Sequence, residues 1–216
     1  MKKITSHILL LMLTTVINLH FAQAQTAAPI FDKTVPLTWL GIDFSHARFS
    51  GNTGGETAST MVDYFPKINK LILDEPVRYD LKKTFHKESV TPRLEMVTQI
   101  NTLVDTSLLI TSKSVEYYRI TKEKIALHVK NYDTGNLQGL GVIIIIEDLN
   151  KTWEKASMWV TYFDLETKTV LLTEKLLGVA SGLGFRNHWA APINEVMNQV
   201  QNQEYKRWRK KFTAKN

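Results

Sequence analysis

Asp43, Ser45 and His46, within Asp43-Phe44-Ser45-His46-Ala47-Arg48, are the side chains whose types suit acid–base or nucleophilic chemistry. A carboxylate can orient an imidazole, and the imidazole can take the proton of a serine hydroxyl. They follow an apolar stretch that reads as a strand, and open α/β sheets bind ligands at strand ends. Alternation opposes convergence: Asp43 and Ser45 project to one face of an extended chain and His46 to the other. A bend is needed to unite them, and the G-x-S-x-G elbow is absent. They are candidates for a catalytic group, with ordinary loop polarity as the plainer reading.

Two glycine-rich segments could hold an anion. Gly51-Asn52-Thr53-Gly54-Gly55-Glu56-Thr57 lies between a strand and a helix, as a phosphate cradle would, but Glu56 stands where a P-loop needs Lys. A surface loop, able to act as a lid, is the better account. Gly178 to Gly184 forms a corner that delivers Arg186, Asn187 and His188 to a helix N-terminus, where the backbone dipole favours an anion. These three are the expected ligand-binding residues; the alternative is a turn that only needs glycine. His46, His86, His128 and His188 are widely separated in sequence, and none forms H-x-x-x-H. His128 falls on a helix near Lys124 and is expected to face solvent. No metal and no cofactor are expected.

The C-terminal Lys206, Arg207, Trp208, Arg209, Lys210 and Lys211 interleave cations with aromatics between Tyr205 and Phe212. They could grip an anionic membrane surface or an acidic partner. Equally, cations complement a helix C-terminus while the aromatics continue its core stripe.

The elements that must position these groups follow from periodicity. Val35–Phe44 reads as a strand buried on both faces, and 45–57 as a loop. Helical spacing runs from Ser59 to about Asp74, with Pro66 expected to kink or restart it. Val77–Phe85 reads as a short basic helix, and Pro92 as the first turn of another, capped by Thr91. Ser107–Thr111 is a strand candidate, and Thr121 caps a helix to about Lys130. Gly139–Glu147, Ala156–Phe163 and Thr169–Ala180 are joined by connections too short for parallel crossovers, so they form an antiparallel meander. Asn187 is expected to cap a long C-terminal helix with the stripe Trp189, Ile193, Val196, Val200, Trp208, Phe212. The reading is a single α+β domain over 34–216, a mixed sheet with helices packed on it.

Residues 1 to 24 read as a secretory signal peptide: Lys2-Lys3, an interrupted apolar run from Ile8 to Leu19, then Ala22-Gln23-Ala24 before a cut at Gln25. The run falls short of the ~20 apolar residues that span a bilayer, and nothing later reaches that length. Residues 25–33 are expected to be a leader with little order. The chain has no cysteine, which excludes thiolate catalysis, disulfides and lipidation at the cut. Its net charge of +6 drops, without Lys2 and Lys3, to a mild +4. Export makes nucleic acid an unlikely partner.

The apolar strand ending in Glu147-Asp148-Leu149-Asn150-Lys151, then Tyr162-Phe163-Asp164 with Thr167-Lys168, then Gly182-Leu183-Gly184-Phe185-Arg186-Asn187-His188-Trp189 resembles uncharacterised exported envelope α/β domains of Bacteroidota, over about residues 139 to 212. That resemblance implies an envelope protein and assigns no catalytic residue. Many such relatives are lipoproteins, whose lipidated Cys this chain lacks. The resulting expectation is a non-enzymatic periplasmic or envelope-associated domain binding a partner protein or a small anionic ligand. The alternatives are a hydrolase at Asp43, Ser45 and His46, and peripheral membrane contact through the basic helix end.

Overall fold

A computed structural model describes residues 27–113 and 119–213 of the chain. Residues 1–24, read as a signal peptide, and the expected cut at Gln25 lie outside the described residues. In chain order the elements are α1 (Ala28–Phe31), β1 (Leu37–Asp43), β2 (Arg48–Ser50), α2 (Ala58–Asp74), α3 (Leu81–Phe85), β3 (Val90–Pro92), α4 (Glu95–Thr102), α5 (Thr106–Leu109), β4 (Ile110–Thr111), α6 (Lys122–Lys130), β5 (Leu140–Asn150), β6 (Lys155–Asp164), β7 (Val170–Val179) and α7 (Phe185–Gln199), which continues through a π-helical turn, Val200–Glu204, into α8 (Tyr205–Thr213).

β5 organises a single seven-stranded sheet. One edge of it pairs antiparallel with β6 along its whole length, and β6 pairs with β7, which gives the expected meander. Its other edge takes two strands in succession: β1 runs parallel to Leu140–Ile145 and β2 parallel to Asp148–Asn150. β3 and β4 extend the sheet beside β1 and β2. Burial on both faces explains the unbroken run Val142–Ile146. Val142, Ile144 and Ile146 join the larger core with Phe65 and Ile68 of α2 and Trp189 and Ile193 of α7. Ile143 and Ile145 face a smaller core with Ile125 and Val129 of α6. The α+β architecture and the long C-terminal helix are thus present. Among the described residues no helix is long and apolar enough to cross a membrane.

Several local expectations are corrected. Residues 27–33, expected to have little order, are tied down: Ile30 is fully buried, and the Lys87 ammonium donates to the carbonyls of Pro29 (2.7 Å) and Asp32 (2.6 Å). The loop after β1 contains a strand, β2. Pro66 neither ends nor restarts α2, because it lies on the exposed side where the missing N–H is tolerated. Thr91-Pro92 belongs to an edge strand rather than a helix cap, and α4 begins only at Glu95. Residues 106–109 are helical, leaving two residues of β4. The cap of α7 is Gly184, not Asn187.

The interruption between β1 and β2 is held by two buried amides. β3 follows β1 only as far as Trp39, so the outward backbone groups of Ile42 and Phe44 have no strand partner. Asn69 of α2 accepts from Ile42 N (2.7 Å) and donates to Ile42 O (2.9 Å). Asn101 of α4 accepts from Phe44 N (2.7 Å) and also donates to Ile42 O (2.9 Å). Gly41, at φ +99°, allows this approach: a Cβ there would lie 2.6 Å from Asn69 Oδ1. Replacing Asn69 by Leu strands the Ile42 N–H in the core, an expected loss of about 1–3 kcal/mol. Urea unfolding checks it; a loss below about 0.5 kcal/mol, the size of an ordinary surface change, contradicts the clamp.

Candidate functional site

Asp43 ends β1 fully buried, on the sheet side opposite Ile42 and Phe44. Its carboxylate accepts from Ser45 N (2.7 Å), from His128 Nε2 (2.7 Å) and from the Tyr132 hydroxyl (2.7 Å). Burial alone would raise the Asp43 pKa. The hydrogen bond and charge of His128, with the bonds from Tyr132 and Ser45, outweigh it and hold the carboxyl below its ordinary value. Burial, and then the adjacent Asp43 charge, drive the Tyr132 phenol well above its ordinary range. His46 packs edge-to-face on His128 with ring centroids 4.3 Å apart. Burial, and then the charge of His128, lower it to about 4.

The chain does bend, and brings Asp43, Ser45 and His46 around one point. The contacts among Ser45, His128 and Asp43 are nevertheless not those of a triad. Ser45 Oγ lies 3.3 Å from His128 Nε2, the same nitrogen that donates to Asp43. A triad needs carboxylate and serine on opposite ring nitrogens, one oriented by a donated hydrogen and the other free to accept. Here one nitrogen serves both, so His128 cannot take the Ser45 proton while it holds Asp43. The cluster is a latch joining the end of β1 to α6. His128 and Tyr132 were missed by sequence reasoning, which placed His128 in solvent. The signal was present: Ile125, His128, Val129 and Tyr132 follow i, i+3, i+4, i+7 and form one inward stripe. Among the described residues, no three His, Cys, Asp or Glu side chains gather where they could hold a metal ion.

The glycine loop and the Gly182–His188 corner, far apart in sequence, meet around a cleft of about 280 Å³. Asn52, Thr53 and Glu56 form one wall, Leu183 and His188 another, and Phe49, Phe185 and Trp189 are the apolar lining. The end of β1 does not join it. Lys151 Nζ donates to Glu154 Oε1 (2.7 Å), and His188 Nε2 lies 2.8 Å from Glu154 Oε2 and 3.3 Å from Lys151 Nζ. The Lys151 hydrogen bond is the main cause of the lowered Glu154 pKa. α7 starts beside this group without a side-chain cap. Of the three expected ligand residues only His188 lines the cleft. Arg186 turns aside to donate to Asn187 Oδ1 (3.1 Å), and both are exposed. A larger hollow of about 770 Å³ lies over the meander between Arg119 and Trp153.

α8 divides the tail into a buried and an exposed side. Tyr205 and Trp208 are buried and Phe212 packs on the same core, while Lys206, Arg207, Arg209, Lys210 and Lys211 are exposed. Arg207 pairs with Glu204, and Lys211 with Glu174 at 3.2 Å.

The His46 environment sets a pH dependence. The unfolded chain protonates His46 near 6.5 and the folded one only near 4, so the unfolded state binds the extra proton between those values. Stability is expected to fall as pH drops through that window; the Asp43 contribution is lost only lower, below its ordinary 3.8. His46→Phe keeps a ring against His128 and should flatten the decline between pH 6.5 and 4.5 in denaturant titrations. An unchanged slope would remove His46 as its source.

No protein-family model matches the chain, and no curated protein matches it. Among solved structures, the hypothetical protein CT253 from Chlamydia trachomatis aligns over 85% of this chain and 99% of its own, at 13% identity and a TM-score of 0.33. Lipoprotein GNA1162 from Neisseria meningitidis aligns over 78% of this chain and 98% of its own, at 9% identity and a TM-score of 0.25. Neither likeness is strong enough to bear on what the chain does.

Proposed function

We propose that the chain is exported through its first 24 residues and serves in the bacterial envelope as a non-enzymatic domain that holds a small ligand between the glycine loop and the start of α7. One observation carries the reading: two glycine-bearing loops from distant parts of the sequence converge on a cleft with an aromatic lining, where Lys151 and His188, both bonded to Glu154 behind them, supply the polar wall. Apolar lining with a few convergent polar groups is the common make-up of small-molecule sites. The fitting ligand has a compact apolar body and an acidic head. The body covers Phe185 and Trp189, and the head draws Lys151 away from Glu154 toward the uncapped N–H groups of α7. The shared nitrogen at Asp43 and Ser45 argues against the hydrolase alternative. The signal-like residues 1–24 and the resemblance to exported envelope domains support the location.

Two outcomes test this reading. N-terminal sequencing of the protein recovered from envelope fractions should begin at Gln25; a Met1 start in the cytosolic fraction would refute export. In a thermal-shift screen of small aryl and alkyl carboxylates, at least one should raise the midpoint saturably. Lys151→Met, which keeps the stem and removes the charge, should weaken that ligand by about tenfold or more, the worth of a charged hydrogen bond. A screen in which no acid shifts the midpoint, or a hit indifferent to Lys151→Met, would contradict the cleft.

A further inference from the structure

A second concavity, of about 560 Å³, lies between α3, α8 and the segment after α1. Lys33, Lys82, Lys83, Lys87 and Arg209 line it against one acid, Glu88. Its floor is aromatic: the His86 ring stacks on Tyr205 with centroids 4.0 Å apart and planes within 19°, and Phe31 meets Tyr205 edge-on at 5.5 Å.

The cleft is constructed rather than incidental. His86 caps α3 in the left-handed region, φ 53°, which non-glycine residues seldom adopt. In that conformation Nε2 donates to Gln201 O at 2.7 Å, a carbonyl of the π-helical turn before α8. Such turns are rare and recur at functional sites. The next residue, Lys87, is only 4% exposed, its ammonium held by two carbonyls of the α1 segment. Burial, partly offset by Asp32, lowers its pKa to about 8. Lys33 pairs with Glu88 (3.2 Å) and Lys83 with Asp80 (3.1 Å), both largely exposed, so an entering anion can share these lysines at little cost.

We propose that this cleft binds a ligand carrying phosphate groups. The five cations outnumber the three carboxylates beside them, Glu88, Asp80 and Asp32, by two, an excess that a single carboxylate ligand would not balance, whereas a pyrophosphate or a pair of phosphoryl oxygens would. Lysine predominates over arginine, which favours a charge-dense anion held without fixed bidentate geometry. The same chemistry is offered by a free phosphate ester and by an anionic lipid headgroup, and the inference is independent of the cleft at α7.

The test uses two probes and a charge-matched control. Inorganic pyrophosphate is titrated into the protein by calorimetry, and vesicles of phosphatidylglycerol or of phosphatidylcholine are floated with it, all at about 0.1 M salt, where distant surface charges are screened. Lys82→Glu reverses a charge in the cleft. Lys206→Glu makes the same change on α8 but outside the cleft. Binding to pyrophosphate or to phosphatidylglycerol vesicles that falls about tenfold in Lys82→Glu and stays within about twofold in Lys206→Glu supports the site. Binding of pyrophosphate identifies a free ester as the source, and binding of vesicles alone identifies a headgroup. Equal weakening by both reversals, equal flotation with phosphatidylcholine, or no binding of either probe overturns it.

Discussion

An N–H buried without an acceptor is among the costliest defects a fold can carry, and β1 would carry it at Ile42 and Phe44 once β3 has ended. Two asparagine side chains from different helices act as a surrogate strand, and between them they bond Ile42 N, Ile42 O and Phe44 N. With that edge satisfied, β1 can stop at Asp43, leave the sheet and resume as β2 farther along β5. Both consequences of the gap follow from it. Asp43 is delivered to α6, and β2 carries the glycine loop over to the corner before α7.

Asp43 and Glu147, the two carboxylates at 0% exposure among the described residues, show how the smaller core is secured. Asp43 is compensated by His128 and Tyr132, and Glu147 by Lys175, by Ile120 N at 2.7 Å and by Ser157 Oγ at 2.8 Å. Each oxygen is committed, so these groups fix where α6 and the segment before it sit. Loss of a partner from either would leave a charge unmatched in the interior.

Elements set by local pattern were legible in the sequence. The apolar run of β5, the alternation of β6, the tight turn before β7 and the Thr121 cap each depend on neighbours within a few residues. What failed was decided at long range. Pro92 suits a helix start as well as an edge strand, since neither needs its N–H, and only the register with β1 selects the strand. Residues 25–33 were expected to have little order as a terminal leader, but Ile30 finds the core and two carbonyls find Lys87. Both halves of the cleft at α7 were visible as loops, and their meeting was not. For the second cleft, Arg209 belongs to the basic tail and Lys82 and Lys83 to the short basic helix of Val77–Phe85, and nothing local joins them. His128 is different, because a local inward stripe was present and was overridden by its polarity.

The buried positions along the C-terminal helix step from Val196 to Val200 by four, and then to Tyr205 by five before Trp208 resumes a step of three. An α-helix turns about 100° per residue, so the five-residue step would carry Tyr205 off the core side unless the helix widened there, as the π turn does. The turn therefore works as a counter that sets the angle of everything after it. Deleting one residue between 200 and 204 would rotate α8 by about 100°, swinging Arg209 out of its cleft and turning the apolar stripe toward water. Exposed residues such as Asn202 and Gln203 usually mark places where a chain tolerates any change. Here their identity is open to drift, and their number is fixed.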